Sequence, residues 1–129
     1  KKIKVVLLEP GKLARTAEIG TSIEDLQNAV DGLIEPFYPF EEQVCIVCND
    51  EGKINGMLPN RSVKNKDGVM VDFIFGPAFI CDCRGESFDS LSDEQIARYT
   101  KMFRYPEHLA RLNGKLIGIP FNPQREHER

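Results

Sequence analysis

This sequence predicts an α+β fold, a mostly antiparallel sheet with two to three short helices packed on it, and three observations carry that prediction. Apolar runs of strand length punctuate the chain, with β-branched Val5, Val6, Ile46 and Val47 among them. Turn-forming clusters separate the runs at Pro10-Gly11, Asn49-Asp50-Glu51-Gly52, Asp67-Gly68 and Gly76-Pro77. Helical spacing behind a capping residue occurs near Ser22 and Ser92. At 129 residues the chain has the length of one domain. We read residues 1–123 as that domain and 124–129 as a polar tail.

Lys2 to Leu8 reads as an inner strand, because Val5, Val6, Leu7 and Leu8 are consecutive and apolar and so call for cover on both faces. Pro10-Gly11 supplies a turn, proline presetting the first dihedral and glycine taking positive φ, so Leu13 to Ile19 returns antiparallel. Thr21 or Ser22 caps a short helix that ends at Gly32; Glu24 or Asp25 is placed to close a capping box, and Ile23, Leu26 and Val30 keep helical spacing. Leu33 to Phe40 contains Pro36 and Pro39, which cannot donate to a ladder and point to an edge strand or extended arm. Gln43 to Cys48 is a further strand, which Asn49 to Gly52 turns back.

Val69 to Phe75 and Ala78 to Cys83 follow as strands on either side of Gly76-Pro77. Ser92 with Gln95, and Leu91 with Ile96, then mark a capped and stapled helix start. That helix carries Ile96, Tyr99 and Phe103 on one face and Arg98, Lys101 and Arg104 on the other, and it stops before Pro106. Pro106 to Leu112 reads as another short helix ended by Asn113-Gly114, and Leu116 to Phe121 as a last edge strand. The helices are expected on one side of the sheet.

Composition narrows the function. The chain is 41% hydrophobic and 29% charged, and no apolar run approaches the roughly 20 residues of a membrane helix. The sequence shows no secretory leader, so a cytoplasmic location and reduced cysteines are expected. A net charge of -3 disfavours non-specific nucleic-acid binding, which needs a basic surface. From Thr16 to Gly52 there is no Lys or Arg, while Glu18, Glu24, Asp25, Asp31, Glu35, Glu41, Glu42, Asp50 and Glu51 fall inside that span. This acidic half reads as a docking surface for a basic partner, a partial mimic of DNA phosphates, or a solvated face.

Cys45-Ile46-Val47-Cys48 and Cys81-Asp82-Cys83 invite a zinc reading, but residues i and i+3 of a strand point to opposite faces, so neither metal nor redox chemistry is expected of them. Of the two histidines, His127 falls in the tail and His108 has no nucleophile elbow near it. We assign no catalytic residue, metal ligand or cofactor. The better candidate is a binding site of Glu35, Asn49, Asn60 and Arg61. Arginine offers a planar fork to phosphate or carboxylate, and asparagine both donates and accepts. The plainer reading has Asn60 satisfying its own loop and Arg61 lying in solvent or pairing with Glu35. Arg98, Lys101 and Arg104 likewise read either as a stripe for an anionic ligand or partner, or as a wet helix face.

Pro10-Gly11, Gly32-Leu33-Ile34-Glu35, Asn49 to Lys53 and Asn60-Arg61, in this order, resemble the bacterial and phage family catalogued as domain of unknown function 3846. Two departures stand out: Asp31-Gly32 replaces a Gly-Gly, and Pro59 directly precedes Asn60 instead of standing one place earlier. The resemblance implies a small accessory protein of a phage or mobile element with no general activity established for its relatives. A non-catalytic binding protein is therefore the expectation, with a small phosphorylated or nucleotide-like anionic ligand, or a host protein, as partner. The rivals are a hydrolase using His108 or Glu35 as base, and a structural or targeting module. Oligomeric state stays open, a homo-oligomer included.

Overall fold

The computed structural model describes residues 1–126. The chain runs β1 (Lys2–Leu8), β2 (Arg15–Gly20), α1 (Ile23–Val30), β3 (Ile34–Phe37), β4 (Val44–Asn49), β5 (Pro59–Lys64), β6 (Met70–Phe75), β7 (Ala78–Asp82), α2 (Asp93–Met102), β8 (Glu107–Leu112), β9 (Lys115–Pro120) and α3 (Pro123–Glu126). Five strands form one antiparallel sheet in the order β2-β1-β7-β4-β3, and β5-β6 and β8-β9 are separate hairpins. This is the α+β, mostly antiparallel architecture that the sequence predicts.

Successive strand residues face opposite sides of a sheet. On β1, β4 and β7 both sides are apolar, so both need cover. On one face Ile3, Val5, Cys45, Val47, Phe79 and Cys81 pack against Leu26 and Val30 of α1. On the other Val6, Leu8, Val44, Ile46 and Ile80 pack against Tyr99 and Phe103 of α2 and against Val63 and Ile74 of the β5-β6 hairpin. Each such buried aliphatic side chain contributes about 1.5–3 kcal/mol. The two longer helices thus lie on opposite faces, which corrects the one-sided packing expected from sequence.

Both helix starts are capped by the serines read from sequence, with the reciprocal box closed at α2. Ser22 Oγ accepts from the Asp25 N–H at 3.0 Å. Ser92 and Gln95 close a reciprocal box at 3.1 and 2.9 Å.

Three local expectations change. Asn49 to Gly52 does not fold β4 back on itself; bonds from Asn55 N to Glu51 O and from Met57 N to Gly52 O wind the chain away from the sheet into β5. Pro59-Asn60-Arg61, expected as a loop, opens strand β5. Pro106 to Leu112, expected as a helix, is strand β8 from Glu107, because Asn113 (φ 52°) and Gly114 (φ 79°) make a two-residue hairpin turn rather than a helix stop. The segment read as a tail begins within α3, and residues 127–129, His127 among them, lie outside the described residues.

Cys45 faces the α1 layer and Cys48 the α2 layer, as strand alternation requires. Cys45 and Cys81 stand opposite one another across β4 and β7 with their sulfurs 3.7 Å apart. No helix among the described residues is long and apolar enough to cross a membrane.

Candidate functional site

The four residues singled out from sequence fall into two pairs. Asn49, at the end of β4, is buried; its Nδ2 donates to the carbonyls of Val30 (3.1 Å) and Asp31 (3.0 Å), and its Oδ1 accepts from the Glu51 N–H at 2.8 Å. It therefore closes the C-terminus of α1, whose last carbonyls have no partner within the helix. Gly32 makes room for it, since a Cβ there would lie 2.5 Å from Asn49 Nδ2. Glu35 is exposed on β3, and its carboxyl is raised above its ordinary value by a hydrogen bond with Asp50, then by burial. The cleft they share with Cys48 and Asp72 holds only about 190 Å³, below the 300–1,000 Å³ usual for ligand pockets.

Asn60 and Arg61 are fully buried. Asn60 Nδ2 donates to the carbonyls of Leu8 and Gly76, both at 2.8 Å, which ties the end of β1 to the turn before β7. Arg61 makes five hydrogen bonds: Nε to Phe103 O (2.6 Å), Nη1 to Glu9 O (3.1 Å) and Asn60 Oδ1 (2.6 Å), Nη2 to Lys12 O (2.6 Å) and Arg104 O (3.4 Å). A guanidinium has five N–H donors, so none is left for a ligand. Burial lowers its pKa to about 10, opposed by Glu107 and Glu9, so it stays charged at neutral pH. Arg61 neither lies in solvent nor pairs with Glu35; it fastens the β1-β2 turn to the last turn of α2.

A larger cavity lies elsewhere, between α2, the loop ahead of β4, and β5 with its following turn. It holds about 660 Å³. Phe40, Tyr99 and Phe103 form an aromatic wall, with the Phe40 ring centroid 4.7 Å from Tyr99 and 6.2 Å from Phe103. Glu42 organises one side: it accepts from the Tyr99 hydroxyl in a short bond, from Arg98 at 3.0 Å and from Gln95 at 3.3 Å. The Tyr99 hydrogen bond, followed by Gln95 and Arg98, lowers the Glu42 pKa against its desolvation. Burial and the Glu42 carboxylate together push the Tyr99 phenol up. Opposite them Lys66 pairs with Glu41 at 3.5 Å, while Lys64 has no ion pair among the described residues.

Sequence reading named Glu41, Glu42, Arg98, Tyr99 and Phe103 separately, as an acidic span and two faces of one helix, but did not bring them together as a groove. Glu42 and its partners on α2 are more than 50 positions apart, so no local motif announces them. The acidic half does not form one face either. Glu41 and Glu42 turn to Lys66 and Arg98, Glu35 faces Asp50, and Glu24 and Asp25 sit in the first turn of α1, on the opposite face of the sheet from α2.

Fold and site together define an α+β protein with a doubly covered antiparallel sheet, whose Asn-Arg signature is turned inward and whose main groove is built by α2. The chain belongs to the family described as Domain of unknown function (DUF3846), whose family model matches residues 3–104. β8, β9 and α3 lie beyond the matched stretch. No curated protein and no solved structure matches the chain.

Proposed function

We propose that this is a non-catalytic binding protein whose groove between α2 and β5 takes a small anionic ligand with an apolar or aromatic body. The observation that carries the reading is the meeting, in a groove of about 660 Å³, of an aromatic wall with Lys64, which has no ion pair among the described residues. That volume and mixed lining suit a ligand of cofactor size, and stacking on Phe40 with charge pairing at Lys64 suits a phosphorylated or nucleotide-like compound. The resemblance read from sequence supports an accessory, anti-defence type of role for a phage or mobile element in its host cell. A hydrolase reading finds less support: His108 lies on β8, stacked 3.9 Å from the Phe121 ring, and Glu35 on β3 faces another carboxylate.

The test is native mass spectrometry of the protein after incubation with the small-molecule filtrate of a bacterial lysate. A reproducible added mass that vanishes in Lys64→Glu and in the groove-filling Met102→Trp supports the reading. No added mass, or one that survives both substitutions, overturns it.

A further inference from the structure

One edge of the five-stranded sheet is uncovered. β2 pairs with β1 along its inner side, from Arg15 to Gly20, and among the described residues no backbone or side-chain group bonds to the outer side of that strand. An unpaired row of N–H and C=O groups is a template for another strand, and strand addition to such an edge is a general mode of peptide recognition.

A groove of about 550 Å³ runs beside this edge, between β2 and α2, with Leu13, Thr16, Ile96 and Thr100 along it and Lys101 and Arg104 at one end. Thr16 stands opposite Val6, whose side chain packs in the α2 layer, so the Thr16 side chain faces the groove. Charge then selects the occupant. Lys12 and Arg15 are held by Glu9 at 3.7 and 3.1 Å, but Lys101 and Arg104 have no ion pair among the described residues. Glu18, the carboxylate on β2 itself, stands opposite Lys4.

We infer that the outer edge of β2 and the groove beside it dock an extended, acidic segment of a partner polypeptide. The segment adds a strand beyond β2. Its backbone bonds to the β2 edge, an aliphatic side chain enters between Leu13 and Ile96, and Asp or Glu side chains reach Lys101 and Arg104. This site is separate from the α2-β5 groove and stands or falls independently of it.

The experiment is selection of a phage-displayed library of random peptides on the intact protein. The expected winners alternate Asp or Glu with aliphatic residues. The synthetic consensus peptide should slow amide exchange at residues 15–20. Its affinity should fall about tenfold or more, the equivalent of about 1.4 kcal/mol, in Lys101→Glu and Arg104→Glu. Both side chains are exposed, so a melting curve matching the parent verifies that the fold is kept. N-methylation of alternate peptide amides should abolish binding. An empty selection, winners without acidic bias, binding indifferent to both charge reversals, or a concentration-dependent dimer that buries β2 in its own copy would each overturn the proposal.

Discussion

Asn60 Oδ1 accepts a 2.6 Å hydrogen bond from Nη1 of its sequence neighbour Arg61, with both side chains fully buried. Adjacent strand residues ordinarily point to opposite faces. A register shift between Pro59 and Arg61 in the β5-β6 ladder accompanies the meeting of these two side chains inside. The pair then satisfies carbonyls from four separate parts of the chain: the end of β1, the β1-β2 turn, the turn before β7 and the end of α2.

Arg61→Ala should lower stability by about 3–5 kcal/mol, because it removes a fully buried side chain and strands the four carbonyls it holds, that of Phe103 in the interior. Arg61→Lys keeps the charge but loses the planar fork, and about 2 kcal/mol is the expected loss. Urea unfolding followed by circular dichroism measures both. An alanine variant within about 1 kcal/mol of the parent would mean that the guanidinium is not buried as described.

Asn49→Asp should be worse than Asn49→Ala. The aspartate would set a carboxylate oxygen against the carbonyls of Val30 and Asp31 in place of a donor. We expect about 1–2 kcal/mol for alanine and more for aspartate. Faster amide exchange should be confined first to the α1 C-terminus and the Asp50-Glu51 turn.

Gly118 faces the carboxylate of Glu107, which accepts the Ser62 N–H at 3.0 Å and so fastens the β8-β9 hairpin to β5. A Cβ at 118 would collide with that carboxylate and approach Phe73 to 3.2 Å. Gly118→Ala should therefore cost about 1–3 kcal/mol and expose the Ser62 amide to exchange. If Ser62 stays protected, the hairpin is held by something else.

The Glu42 carboxylate, lowered from its ordinary value of 4.5 chiefly by Tyr99, gives a pH signature. A carboxyl whose folded pKa is depressed contributes stability above its unfolded value, and that contribution is lost as pH falls through the folded value. Glu42→Gln should cost about 1 kcal/mol at neutral pH, discounted because the side chain is partly exposed. The gap to the parent should narrow as pH falls below the ordinary value of 4.5 and close once the carboxyl is protonated in the folded protein. A gap that stays constant down to pH 3 would deny the carboxylate this role.

Most of the fold could be read from sequence because its determinants are local. Ser22, Ser92 and Gln95 cap where they were expected to, and the apolar run of β1 calls for cover on both faces, although the helices were expected on one side of the sheet only. Asn113-Gly114 misled, since the same pair can stop a helix or turn a hairpin and Pro106 favoured the helical reading. The site was the least legible part. Asn60 and Arg61 carry the composition of a binding loop, and nothing in their neighbours says that six carbonyls far along the chain will surround them. The α2-β5 groove is assembled from Phe40, Glu42, Lys64 and Tyr99, whose proximity exists only after folding.

The partners of Arg61 also set an order of events during synthesis. Its bonds reach 52 and 49 residues back, to Glu9 and Lys12, and 42 residues forward, to Phe103. A nascent chain that has not yet delivered Phe103 and Arg104 holds a cation with too few acceptors to enter the interior. The turn after β1 has its own bonds, from Lys12 and Arg15 to Glu9, but lacks its tie to α2 until then. Such long closures favour slow folding, on the millisecond-to-second scale typical of non-local topologies. They also leave the clasp of Arg61 incomplete in any fragment that ends before α2 does.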